Sequence, residues 1–143
     1  MGAWAAGGPG VVELPDGRRV RVRGLRHGDV AGEEPELGIY LLGSPPPTTP
    51  WPALWIRWPD FRLPTDRDGA LATLRQAHER AVAERVELAC GGGIGRTGTA
   101  LAVLAVLSGV DPAEAVPWVR RHHHPRAVET PWQRRWVAGL SRT

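Results

Sequence analysis

The sequence predicts a single α/β domain over residues 1–143, with a mostly parallel central sheet flanked by helices. Short runs of strand length come first, and longer runs with apolar residues at helical spacing follow. The last predicted strand leads through a glycine-rich loop directly into a helix. A chain of 143 residues suits one hydrophobic core but is too short for two, so we expect one domain.

The predicted strands are short runs bounded by turn residues. They cover 11–14, 18–23, 37–42, 54–58 and 86–89. Pro15, Asp16 and Gly17 separate the first two runs, and this turn sequence predicts a hairpin. The run 86–89 is interpreted as a short buried strand that ends at Cys90.

Four helices are predicted from apolar residues at helical spacing, and all but the second begin at a capping residue. Their N-caps are Thr65, Asp111 and Thr130, and the helices cover 65–84, 97–108, 111–122 and the residues after 130. Gly109 is expected to end the second of these helices. Gln133 stands three residues after Thr130, which is the spacing of a capping box.

The composition restricts the possible partners. All eighteen basic residues are Arg, and the net charge of +3 favours anionic substrates. The Arg residues are interleaved with Asp and Glu, so no nucleic-acid-binding face is predicted. The longest apolar run is too short to cross a bilayer, the first residues do not resemble a signal peptide, and the lone Cys excludes an internal disulfide. We therefore expect a cytoplasmic monomer without a membrane partner.

The loop from residue 90 to residue 98 is the most informative segment. Cys90 is the only Cys of the chain, and Arg96 follows it after five residues: Gly91, Gly92, Gly93, Ile94 and Gly95. The backbone N–H groups of such a loop before a helix can form a nest that binds a phosphate. The same donors stabilise a thiolate, and the hydroxyl of Thr97 can donate to the sulfur. The guanidinium of Arg96 offers two parallel donors to phosphate oxygens.

This loop resembles the signature of the cysteine-dependent protein tyrosine and dual-specificity phosphatases, in which His-Cys is followed by five residues, Arg and Ser/Thr. The matching residues are Cys90, Gly93, Gly95, Arg96, Thr97 and Gly98. The chain departs from the family at Ala89, where members usually carry His. The resemblance implies hydrolysis of phosphate monoesters through a phosphocysteine, with Cys90 as nucleophile and with Arg96 and the backbone of 91–97 holding the phosphate. It implies no metal and no other cofactor.

Two further segments resemble parts of the same family. Trp58, Pro59, Asp60 and Phe61 are similar to its general-acid loop, and Asp60 is the candidate acid. The other interpretation of Asp60 is a turn residue beside a packing Trp. Residues 119–133 are similar to a stretch that carries a Gln able to orient the attacking water. Gln133 has two possible roles, in catalysis or in the capping box.

Other functions stay open at this stage. The run from His122 to His124 lacks the spacing of a metal site, because consecutive helical residues point about 100° apart. A phosphate-binding pseudophosphatase, or a reductase or sulfurtransferase with a Cys loop, would also use this kind of loop. The resemblance favours phosphotyrosine or phosphoserine and phosphothreonine in proteins as substrates, with phosphoinositides and RNA 5′-phosphates as alternatives.

Overall fold

The computed structural model describes residues 3–28 and 32–141. Its strands are β1 (Val11–Glu13), β2 (Arg19–Gly24), β3 (Leu37–Leu42), β4 (Ala53–Arg57) and β5 (Val86–Cys90). Its α-helices are α1 (Arg67–Arg80), α2 (Gly95–Leu107), α3 (Pro112–His122) and α4 (Pro131–Ala138), and a 3₁₀ turn covers Leu25–His27. The predicted α/β fold with a mostly parallel sheet is therefore confirmed.

The sheet has the strand order β1-β2-β5-β3-β4, with β5 at its centre. The β1–β2 pair is antiparallel, as the predicted hairpin requires, and the other three pairs are parallel. Cys90 at the end of β5 pairs with Gly24 at the end of β2. Because the carboxyl ends of parallel strands meet at one edge of a sheet, the segments after β2, β4 and β5 lie close together there.

Helix α2 lies at the centre of the domain. Every residue of α2 from Gly95 to Val106 is buried, as expected for a helix that is apolar on all sides. It packs against β5, α1, α3 and α4. No helix in the described part of the chain has the length and apolarity needed to cross a membrane.

The helix ends differ from the predictions at three positions, one of which is the C-terminus of α1, at Arg80 rather than Glu84. Asp111 accepts a hydrogen bond from the N–H of Ala113 at 3.0 Å and caps α3, as predicted. The N-cap of α1 is Asp66 rather than Thr65, because the Asp66 carboxylate accepts from the N–H of Gly69 whereas Thr65 bonds back to the end of β4. Helix α2 begins at Gly95, two residues before the predicted start.

One sheet face carries a buried charge cluster. Glu87 on β5 is fully buried and accepts hydrogen bonds from the guanidinium groups of Arg21 and Arg23 on β2. The Arg21 Nε to Glu87 Oε2 distance is 2.9 Å, and the Arg23 Nε to Glu87 Oε1 distance is 3.1 Å. A buried carboxylate needs such partners to offset its desolvation, which explains a Glu within a buried strand.

We expect Glu87→Ala to destabilise the protein by about 3–5 kcal/mol, because it leaves two guanidinium groups without their carboxylate. Urea unfolding of the wild type and the variant measures this change. Glu13→Ala is the matched control, since Glu13 pairs with Arg19 at an exposed position and such pairs contribute at most about 1 kcal/mol. Equal effects of the two substitutions would contradict the prediction.

Candidate active site

The thiol of Cys90 lies at the bottom of the glycine-rich loop. Its sulfur accepts a hydrogen bond from the N–H of Gly93 at 3.2 Å and from the hydroxyl of Thr97 at 3.0 Å. Cys90 itself is buried at the end of β5. Two donors aimed at one sulfur stabilise its charged form, so the arrangement suits a thiolate nucleophile.

One glycine of the loop is required by its backbone conformation and its surroundings. Gly93 has a φ of 75°, which disfavours any residue with a side chain, and a Cβ there would lie 2.7 Å from the backbone nitrogen of Gly24. A Cβ at Gly95 would meet the carboxylate of Glu129, an exposed side chain that can move away. The loop is therefore packed between the end of β2 on one side and Glu129 on the other.

The Arg96 side chain joins the glycine-rich loop to the loop after β4. Arg96 is 6% exposed, and its Nη1 donates to the carbonyl oxygen of Trp58 at 3.0 Å. Its Nε is buried and has no hydrogen-bond partner among the described residues. The nearest carboxylate oxygen of Asp60 is 3.6 Å away, an ion-pair distance that is too long for a hydrogen bond. A buried guanidinium with a spare donor suits an anion.

Asp60 lines one cavity together with Cys90 and Arg96, and its side chain is 46% exposed. Its carboxylate accepts the N–H of Phe61 at 3.0 Å. Phe61 has a φ of 60°, a strained conformation for an aromatic residue, and its carbonyl accepts the indole N–H of Trp132 at 2.7 Å. Such strain persists only where the surroundings hold it, and here it fixes Asp60 near Arg96.

Gln133 is fully buried, and its side-chain amide makes two hydrogen bonds. Its oxygen accepts the N–H of Thr130, while the Thr130 hydroxyl accepts the N–H of Gln133, so the predicted capping box is confirmed. Its amide nitrogen donates to the carbonyl oxygen of Arg62 at 2.9 Å. Gln133 does not line the cavity around Cys90. The geometry thus places it against the loop after β4 that carries Asp60.

A cavity of about 250 Å³ brings these groups together. It is lined by Arg26, His27, Asp60, Phe61, Cys90, Gly92, Ile94, Gly95, Arg96 and Glu129. Of the predicted site residues, Gly91, Gly93, Thr97 and Gln133 are not among these lining residues. Sequence reasoning missed Arg26, His27 and Glu129. A larger cavity of about 400 Å³, bordered by Leu71 and Trp136, includes none of the predicted catalytic residues.

His123 was also missed, and it supports the loop from α3. Its Nε2 donates to the carbonyl oxygen of Gly93 at 2.9 Å, which fixes the tautomer of the ring. Burial lowers the pKa of His123, and the hydrogen bond to Gly93 opposes this shift. The imidazole of the neighbouring His122 bonds to the carbonyl oxygen of Trp118. No group of three or more potential metal ligands occurs in the described part of the chain.

A family model and two curated relatives match this chain. The family model PTP-SAK, described as a Swiss Army Knife protein and DSP-PTPase phosphatase domain, matches residues 59–140. Two uncharacterized proteins of Methanocaldococcus jannaschii, MJ0215 and MJECL20, are each 35% identical over 86 residues, or 60% of this chain. The match spans only 53% and 57% of those relatives.

Solved structures show the same architecture. The crystal structure of Tk-PTP in its active form has a TM-score of 0.65 and 26% identity, and the match covers 90% of this chain and 93% of that one. A mutant form of Tk-PTP gives a TM-score of 0.67 with 24% identity over 88% and 91% of the two chains. The second likeness supports the fold alone.

The support from His123 generates a pH-dependent prediction. Its pKa is lowered from 6.5 in the folded protein, so the unfolded chain binds more protons as the pH falls through that value. Folding stability contributed by the neutral imidazole is therefore complete above pH 6.5 and is lost progressively below it. We expect His123→Gln to remove this part of the pH dependence while retaining a donor for Gly93.

Urea unfolding across this pH range measures the effect as a difference between wild type and variant. His122→Gln is the matched control, because His122 is an exposed neighbour that does not contact the loop. His78, whose pKa is also lowered by burial, contributes equally to all three proteins and cancels. Parallel pH profiles for wild type and His123→Gln would disprove the prediction.

Proposed function

Because the chain belongs to the PTP-SAK family of DSP-PTPase phosphatase domains, we propose that it hydrolyses phosphate monoesters through a phosphocysteine intermediate. One observation carries this proposal: the sulfur of Cys90, with two hydrogen-bond donors, lies in one cavity with Arg96 and Asp60. These are a nucleophile, an anion-binding group and a candidate acid within reach of one substrate phosphate.

In the first step, the phosphate binds to the backbone N–H groups of 91–97 and to the guanidinium of Arg96. The thiolate of Cys90 attacks phosphorus, so that a sulfur–phosphorus bond forms while the bond to the leaving oxygen breaks. Asp60 donates its proton to that oxygen. The donors around the phosphate stabilise its negative charge in the transition state, which is why we expect no metal to be required.

In the second step, water attacks the phosphocysteine. Asp60, now a carboxylate, accepts a proton from the water. The water oxygen bonds to phosphorus while the sulfur–phosphorus bond breaks. The hydroxyl of Thr97 donates to the departing thiolate of Cys90. The predicted role of Gln133 in orienting this water requires its amide to leave Thr130 and Arg62. We instead assign Gln133 to positioning the acid loop.

We propose aryl phosphates, and phosphotyrosine in proteins above all, as the substrates. The support is Phe61, whose ring is 52% exposed at the mouth of the cavity and offers an apolar surface to an aromatic leaving group. Phosphoserine, phosphothreonine, phosphoinositides and RNA 5′-phosphates are the alternatives that a substrate panel separates. A pseudophosphatase is disfavoured because Asp60, Cys90 and Arg96 are all present in the cavity.

We expect the protein to hydrolyse p-nitrophenyl phosphate without an added metal ion, and Cys90→Ser to abolish this activity. Serine lacks a stable anion near neutral pH, so the nucleophile is lost although the fold is kept. Steady-state kinetics with and without a metal chelator measure both effects. Unchanged activity of Cys90→Ser, or a complete requirement for a divalent metal, would refute the proposed function.

We expect Asp60→Asn to slow alkyl phosphates by about 10²–10⁴-fold and p-nitrophenyl phosphate much less. A good leaving group departs without a proton, whereas an alkoxide needs one. Values of kcat/KM across a series of leaving groups give the dependence. Asp68→Asn, at an exposed position in α1, is the matched control. A uniform loss across the series would place Asp60 in the scaffold.

A further inference from the structure

Arg26 is fixed beside the glycine-rich loop by its backbone. It lies in the 3₁₀ turn Leu25–His27 that follows β2, and its N–H donates to the carbonyl oxygen of Gly91 at 3.0 Å. The residue is exposed, and it lines the same cavity as Cys90 and Arg96. A rigid backbone contact thus places a long cationic side chain at the mouth of the candidate active site.

The guanidinium of Arg26 lies against two glycines. A Cβ at Gly91 would be 3.3 Å from Nη2 of Arg26 and 3.3 Å from Nη2 of Arg96. The two nitrogens are therefore at most 6.6 Å apart, which is twice 3.3 Å. A Cβ at Gly92 would also lie 3.3 Å from Nη2 of Arg26. Glycine at both positions leaves room for this second guanidinium next to the first.

The charge of Arg26 is not matched by a carboxylate among the described residues. Other Arg residues of the same strand and turn region have one, since Arg19 pairs with Glu13 and Arg21 pairs with Glu87. Asp60 and Glu129 line the cavity too, but neither forms an ion pair with Arg26. Two guanidinium groups this close repel each other, and an anion between or beside them relieves the repulsion.

We propose that Arg26 binds a second anionic group of the substrate while Arg96 holds the phosphate that reacts. The inference rests on the proposed function and adds a substrate class to it: phosphate monoesters that carry a carboxylate or a second phosphate nearby. The two Nη2 atoms are at most 6.6 Å apart, which is within the span of two residues of an extended chain, roughly 7 Å. On a peptide, the second group is therefore an acidic side chain close to the phosphorylated residue.

The test uses two phosphotyrosyl peptides. One carries acidic side chains on both sides of the phosphotyrosine, and the other carries the corresponding amides. We expect the wild type to prefer the acidic peptide in kcat/KM. Arg26→Gln should reduce that preference by about tenfold, which is the usual effect of losing a hydrogen bond to a charged group. Arg26→Lys should retain part of it, because the charge stays while the planar fork is lost.

Arg121→Gln is the matched control, since it removes the same charge from an exposed position on α3 that does not line the cavity. It should leave the preference unchanged. A wild type with no preference, or an equal loss for both peptides in Arg26→Gln, would overturn the second subsite. Hydrolysis of p-nitrophenyl phosphate by the wild type, and its loss in Cys90→Ser, separately tests the proposed function.

Discussion

The hydrogen bond from Arg96 to the carbonyl oxygen of Trp58 joins the two loops on which the site depends. Arg96 follows β5 and Trp58 follows β4, so neither loop is local to the other in sequence. The Arg96 guanidinium is 6% exposed, and its one hydrogen bond to protein fixes its direction while the Nε donor stays without a partner among the described residues. The glycine-rich loop and the loop after β4 are therefore held in a fixed position with respect to each other.

Helix α4 supports the loop after β4 that carries Asp60. The N-terminus of α4 supplies the indole of Trp132 and the amide of Gln133, which donate to consecutive carbonyl groups, those of Phe61 and Arg62. The indole of Trp58 donates to Arg62 as well. These three bonds oppose the strain of Phe61 at φ 60°, a conformation that costs on the order of 1–3 kcal/mol. The position of Asp60 thus depends on α4, more than 70 residues away in sequence.

Features that depend on neighbouring residues could be predicted from the sequence. The capping box of α4, the cap of α3, the hairpin and the loop from Cys90 to Arg96 all follow from spacing over a few residues. Arg26 and His123 could not be found in this way, because the sheet order and the end of α3 bring them to the loop. The contact of the Gln133 amide with Arg62, which supports the positioning role proposed above, is likewise a tertiary feature that the sequence does not show.

The glycine-rich loop is supported by the imidazole of His123 and not by the side chain at position 89. Side chains alternate along β5, so residue 89 points away from the thiol at 90 and pairs in register with Arg23 and Tyr40. An alanine there offers no hydrogen bond to the loop. His123 instead donates to the carbonyl of Gly93, the same residue whose N–H reaches the sulfur of Cys90. The imidazole of His123, at the end of α3, thus supports the glycine-rich loop through Gly93.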